Sequence, residues 1–317
     1  MACYLSEADV AQVLNMRMAL DAVDAAHQAL ARGEATDMPR RRVRASRAMQ
    51  HLLQAAWPAR GVMGYKAYTT SAAGARFWLH LFNGDTGEPL AVIEADRLGM
   101  MRTGAAGGLA ARCLARPDAQ VAGIIGAGWQ ARGQMAALAA VRPLAHFKVF
   151  ARRADKLNKF CAEMEAELGI RVEPVNSAEA AVRGSDIIVT ATTAAQPVLQ
   201  GAWLADGMHV NAMGSNSLAR RELDEAAVSR ADLLCVDARE TALLEAGDLV
   251  PGLEKGRFTQ RQLVELGELL TGSRPGRQSD KDVSVFESQG LAIQDVALGL
   301  EVLRQAKLSG LGQTLPY

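Results

Sequence analysis

Gly126-Ala127-Gly128-Trp129-Gln130-Ala131 is a Gly-x-Gly-x-x-Ala run that follows the apolar stretch 121–125 and opens a helical stretch. In that setting the first glycine permits a tight turn and Gly128 lets backbone amides approach a pyrophosphate, while the small Ala131 lets the helix pack close to its strand. A second strand follows about 20 residues later, as a dinucleotide-binding fold requires. At the end of that strand an NAD-binding chain places a carboxylate for the ribose 2′-hydroxyl; here stand Ala151-Arg152-Arg153, with Asp155 already inside the next helix. Charge-assisted hydrogen bonds to a 2′-phosphate, about 1.5–3 kcal/mol each, predict NADPH, with NADH still possible. The alternative is a solvated basic helix start, an arrangement that the helix dipole disfavours without an anion.

Two further cations stand in odd places. Lys66 lies in a mostly apolar run between Tyr65 and Ala67-Tyr68, and Arg102 lies within Met100-Met101-Arg102-Thr103-Gly104. A buried charge needs a partner and neither has an acid close in sequence, so an anionic ligand is one partner that would serve. The other reading is that both snorkel to the surface. Arg40, Arg41, Arg42, Arg44 and Arg47 form a basic run after Pro39, which suits a solvated face or an oligomer contact. His27 on an apolar helical stripe and His80 beside Trp78 and Phe82 read as packed histidines. Cys3, Cys113, Cys161 and Cys235 are far apart with no Cys-x-x-Cys pair, so neither a disulfide framework nor a metal site is expected.

These residues need elements to hold them. Ser6 with Asp9 signals a capping box, and Met16, Leu20, Val23, His27 and Leu30 recur at helical spacing before Gly33. From residue 51 to 93 the pattern turns to strand-like runs at 52–56, 62–69, 77–82 and 90–93, mostly antiparallel, with Asp85-Thr86-Gly87 as a hairpin signal. A long Ala/Gly-rich helix runs from Asp96 to about Leu114, ahead of Pro117. Thereafter strands at 120–125, 146–150, 171–175, 186–191, 209–212 and 233–236 alternate with helices, the pattern of a doubly wound parallel sheet. A final amphipathic helix spans 290–306. The fold class is therefore α/β: a Rossmann sheet plus a smaller α+β domain.

Composition narrows the partners. The chain has 317 residues, enough for two domains, and Lys plus Arg equal Asp plus Glu at 35 each. Without a net field, nucleic acid and anionic lipid are not expected partners. No run reaches the roughly 18–20 apolar residues of a membrane span. Glu7 and Asp9 stand where a secretory signal would be basic and apolar, so a soluble cytoplasmic protein is expected.

Over nearly its whole length the chain resembles the ornithine cyclodeaminase and mu-crystallin family. The resemblance is carried by Pro39-Arg40-Arg41, Gly64-Tyr65-Lys66, Asp85-Thr86-Gly87-Glu88-Pro89, Arg102-Thr103, Gly126-Ala127-Gly128, Gly214-Ser215-Asn216 through Arg221-Glu222-Leu223, and Glu287-Ser288-Gln289-Gly290 to Asp295. It implies a substrate and dimerisation domain at 1–117, completed by 290–317, around a Rossmann domain at 118–289, in a homodimer. It also implies that Arg41, Lys66 and Arg102 converge on a substrate carboxylate at the nicotinamide, and that position 216 faces the reacting carbon. Thr192 and Met213 join the glycine run as expected cofactor contacts.

The departures from the family carry as much information. Cyclodeaminases carry an aspartate at position 216 and a second acid ahead of the strand lysine, whereas this chain has Asn216 and no Asp or Glu from 51 to 65. An amide cannot take a proton from an ammonium group. Those enzymes also recycle NAD held at an acid-ended second strand. The expectation is thus an NADPH-dependent oxidoreductase that reduces a ketimine bearing a carboxylate, of the 1-pyrroline-2-carboxylate or 1-piperideine-2-carboxylate type. Arg41 and Arg102 would clamp the carboxylate, Lys66 would orient substrate or supply a proton, and Ser215 and Asn216 would position the imine nitrogen or a water. Alternatives are an ornithine or lysine cyclodeaminase releasing ammonia, an amino-acid dehydrogenase, and a non-catalytic NADPH-dependent binding protein.

Overall fold

A computed structural model describes residues Met1–Pro316, which form two compact units: Met1–Arg102 with the chain from Gly290 onward, and Thr103–Gln289. The first break falls inside the Asp96–Leu114 helix, not at Pro117. The reason is hydrogen bonding. The carbonyls of Thr103, Gly107 and Leu114 accept from the side chains of Gln134, Asn211 and Arg277, all in the second unit.

The first unit is a seven-stranded sheet in the order Gln313–Thr314, Cys3–Leu5, Pro89–Glu94, Gly74–Asn83, Val62–Ser71, Ala48–Trp57, Thr36–Arg44. The five strands from Thr36–Arg44 to Pro89–Glu94 pair antiparallel in sequence order. Burial alternates along them: Val62, Gly64, Lys66 and Tyr68 are buried, and Met63, Tyr65, Ala67 and Thr69 are not. The buried face packs on the Ala292–Leu308 helix, which also packs on Met16–Ala31. Asp37, on the edge strand, reaches across and accepts from the Ile293 N–H at 2.8 Å, so a neighbouring strand caps the start of that helix.

The second unit is an eight-stranded, all-parallel sheet in the order Leu263–Glu265, Leu233–Val236, Ser284–Glu287, His209–Ala212, Ile187–Thr190, Val121–Ile125, His146–Phe150, Arg171–Pro174. The chain runs outward from Val121–Ile125 to one edge and then returns to that strand's other side at Ile187–Thr190, which makes this the switch point where open α/β sheets bind ligands. Six strands were expected here. Leu263–Glu265 and Ser284–Glu287 are only three and four residues long and follow loop-like sequence, so no periodicity announces them.

No helix among the described residues is long and apolar enough to cross a membrane.

Candidate functional site

The second unit supplies the glycine turn. Gly126 has φ +121°, and a Cβ there would stand 2.4 Å from the Ala191 carbonyl oxygen, so both backbone shape and space demand glycine. Gly128 is the N-cap of the Trp129–Val141 helix, has no side-chain cap, and faces open space where its Cβ would point. A 13-residue helix with an uncapped, positively polarised start and clear space before it fits a pyrophosphate. Ala127 leads into this start, Trp129 and Gln130 begin the helix, and Ala131 is fully buried, as close packing on the strand requires.

Arg152 and Arg153 follow the His146–Phe150 strand and are both exposed. Arg153 pairs with Asp155 at 3.0 Å, whereas Arg152 has no partner among the described residues. Arg152 is therefore the stronger candidate for a 2′-phosphate.

Around Thr192, Met213 and the 214–216 segment the structure reveals an acid that sequence reasoning gave no role. Glu222 is fully buried, and its two oxygens accept from Thr192 N–H and Oγ1 (both 2.6 Å), Thr190 Oγ1 (2.8 Å) and Gly214 N–H (2.7 Å). It fastens the ends of two neighbouring strands to each other. A Cβ on Gly214 would stand 2.5 Å from Glu222 Oε1. Met213 is buried, with its N–H bonded to the Thr190 carbonyl. Ser215 spends its hydroxyl on the Ser217 and Arg220 carbonyls, at 3.3 and 3.0 Å, which closes its own loop rather than leaving a donor for substrate. Asn216 is half-buried on the same loop.

Beside Glu222 lie more buried acids. Asp248 accepts from the Glu222 and Leu223 N–H groups, and burial pushes its carboxyl up to about 6. Burial also pushes Glu287 well above the carboxylate range, with Asp248 and Glu222 adding repulsion.

The first unit supplies the cations. Lys66 and Arg102 are 3% and 7% exposed, so neither snorkels, and they meet on one carboxylate, Asp295, which is 0% exposed. Lys66 Nζ lies 2.9 and 2.7 Å from the two Asp295 oxygens, and Arg102 Nε lies 3.1 Å from Oδ1. The acid missing from the neighbourhood in sequence arrives from the Ala292–Leu308 helix. Arg102 Nη1 donates to Gln294 Oε1 at 3.0 Å, and Gln294 Nε2 lies 2.9 Å from His27 Nε2. His27 is thus packed and hydrogen-bonded. Gly290, at φ +80°, lies against this guanidinium: a Cβ there would stand 2.4 Å from Arg102 Nη1.

Burial, then the Arg102 charge, bring the Lys66 ammonium down to about 7, with Asp295 opposing them. Arg40 acts on Lys66 in the same sense and is buried. Arg41, the expected clamp, is exposed and pairs with Leu52, while the neighbours His51 and Leu53 turn to the buried face. A bulge between Met38 and Arg41 shifts the strand by one residue, so Arg40 takes the inward place. His51, two strand positions from Lys66's partner Leu53, stacks on Tyr68 at 4.1 Å, and burial with Arg42 and Arg40 holds its ring down to about 4. His80 stacks on Tyr65 at 4.6 Å on the opposite, open face.

The sequence profile of the ornithine cyclodeaminase/mu-crystallin family matches residues 2–309. Over 233 residues the chain is 36% identical to a Delta(1)-pyrroline-2-carboxylate reductase of Bacillus cereus, a match covering 73% of this chain and 71% of that one. Among solved structures, Thermococcus litoralis Delta(1)-pyrroline-2-carboxylate reductase in complex with NADH and L-proline aligns with a TM-score of 0.95 at 31% identity, over 99% of this chain and 100% of that one. An archaeal alanine dehydrogenase dimer with bound NAD aligns with a TM-score of 0.93 at 30% identity, over 100% of this chain and 99% of the other.

Proposed function

The chain belongs to the ornithine cyclodeaminase/mu-crystallin family, and we propose that it is an NADPH-dependent reductase of a cyclic imine bearing a carboxylate, of the 1-pyrroline-2-carboxylate type. The observation that carries this reading is the buried pair Lys66 and Arg102 on the one acid Asp295, two cations on one carboxylate, an excess that an incoming carboxylate balances; Arg40, buried beside them, adds to the field at Lys66. Arg102 and Arg40, rather than Arg41, hold that carboxylate. The Gly126–Gly128 turn would hold the pyrophosphate of NADPH, whose reduced nicotinamide would supply the hydride for the imine carbon. Lys66, brought near neutrality by burial, gives the proton that the imine nitrogen gains, and a cyclic secondary amine results.

Asn216 supports reduction over deamination, because an amide offers no base for a substrate ammonium. The Arg152 guanidinium supports NADPH over NADH. The likeness to an alanine dehydrogenase favours one close variant, reductive amination of a 2-oxo acid, which differs in requiring free ammonium.

The reading extends to a homodimer. The face of the first sheet turned away from the helices exposes Met38, Val43 and Met63 (47%, 68% and 37%) and lines a cavity of about 500 Å³ with Met38, Met63, Tyr65 and Phe82. An apolar sheet face of this kind is suited to a second copy of itself.

The deciding experiment follows loss of NADPH absorbance with 1-pyrroline-2-carboxylate, 1-piperideine-2-carboxylate, pyruvate with and without ammonium, and ornithine. Turnover of the cyclic imines without ammonium is expected. Ammonia release from ornithine with no net change in NADPH would replace this reading with cyclodeamination.

A further inference from the structure

Lys66, Arg102 and Asp295 come from three separate elements: the Val62–Ser71 strand, the Asp96–Leu114 helix and the Ala292–Leu308 helix. They meet almost without water. Transfer of an ammonium into such a place costs several kcal/mol unless an acid answers it. The groups that face Lys66 are Asp295 from its helix, Arg102 from another, and Arg40 from the Thr36–Arg44 strand; Gln294 and, behind it, His27 complete the surroundings of Arg102. Asp295 is the one acid that Lys66 and Arg102 touch among the described residues.

How the donors are shared is informative. A purely structural Arg–carboxylate pair tends to be bidentate, with two parallel N–H bonds. Asp295 takes only the Nε edge of Arg102, Gln294 takes Nη1, and Nη2 has no partner among the described residues. On Lys66, one carboxylate engages at most two of the three N–H bonds. Each cation therefore keeps a donor in reserve, and both are oriented by the same acid. Asp295 itself stands in the first turn of its helix, where the dipole favours a negative charge.

We propose that Asp295 is a positioning residue, the internal counter-ion that keeps Lys66 charged and turns Lys66 and Arg102 so that each holds one N–H back for the substrate, Lys66 toward the imine nitrogen and Arg102 toward the carboxylate. This deepens the reductase reading and rests on its assignment of Arg102 to the carboxylate and Lys66 to the proton for the imine nitrogen.

The test has two independent arms. In protein with ¹³C,¹⁵N-labelled lysine, the Lys66 side-chain signal is identified by its loss in Lys66→Met and titrated in wild type, Asp295→Asn and Asp295→Glu. Asp295→Asn lowers its midpoint by at least about one pH unit, and Asp295→Glu recovers most of that shift. In steady-state kinetics, Asp295→Asn raises KM for the imino acid at least about tenfold and leaves KM for NADPH within about twofold. An unchanged Lys66 midpoint in Asp295→Asn overturns the proposal. So does a loss of kcat with KM and midpoint both unmoved, the mark of a merely structural role. Should Asp295→Asn fail to fold, the double variant Lys66→Met/Asp295→Asn restores folding, since it removes the unanswered ammonium; failure to restore it, with Lys66→Met folded alone, is equally fatal. If wild-type protein reduces no imine, the reductase reading falls, and the titration arm still decides the counter-ion.

Discussion

Around Asp295 the first unit buries cations on one acid, and around Glu222 the second buries an acid on neutral donors. The first arrangement leaves a surplus of positive charge and unused N–H groups. The second saturates its carboxylate with four donors, two from backbone and two from threonine hydroxyls. An unsatisfied set is suited to capturing a ligand, and a saturated one to holding loops still. The proposed chemistry thus rests on the charged cluster, while the acid at position 222 fixes Thr192 and Gly214.

The sharpest way to break this contrast is Lys66→Met. It is expected to lower kcat/KM by on the order of 10³ while NADPH affinity, measured by fluorescence titration, stays within about twofold. Equal losses in both would erase the division of labour. Glu222→Gln places an amide N–H against donors and is expected to cost about 3 kcal/mol in urea unfolding. A neutral result would show that the four bonds fasten nothing.

Arg40→Ala should raise KM for the imino acid by about tenfold and Arg41→Ala by less than about twofold. The reverse order would return the clamp to Arg41. Arg152→Ala should raise KM for NADPH by about tenfold and leave that for NADH unmoved.

The mildest test uses pH. Asp248 carries its proton from 3.8 up to about 6 when folded, so the stability it contributes is complete below about 3.8 and lost as pH rises through about 6. Lys66, lowered from 10.5 to about 7, sheds its proton earlier folded than unfolded, so stability grows with pH between those values. Amide-exchange protection should therefore fall in the His209–Ala212 strand over the acidic window and rise in Val62–Ser71 over the alkaline one. A common direction in both strands would contradict the contrast.

The dinucleotide half was the more legible in sequence, because the glycine turn, its strand and its helix are consecutive and each residue type has a local cause. The charged half was readable only as an anomaly. Lys66 and Arg102 stood out as cations in apolar runs, but Asp295 lies 229 residues from one and 193 from the other, beyond any local pattern. The Thr36–Arg44 strand was hidden because four arginines mask the alternation that marks a strand, and its bulge moved the inward place from Arg41 to Arg40. Glu222 sat in a recognisable stretch, yet nothing in its spacing reveals that it collects four donors.

The bond from Ile293 to Asp37 couples the Arg40 strand to the Asp295 helix at the point where that helix begins. Strand and helix are thereby pinned to each other by one bond between residues 256 apart in the chain, and the cation on the one is held in register with the counter-ion on the other.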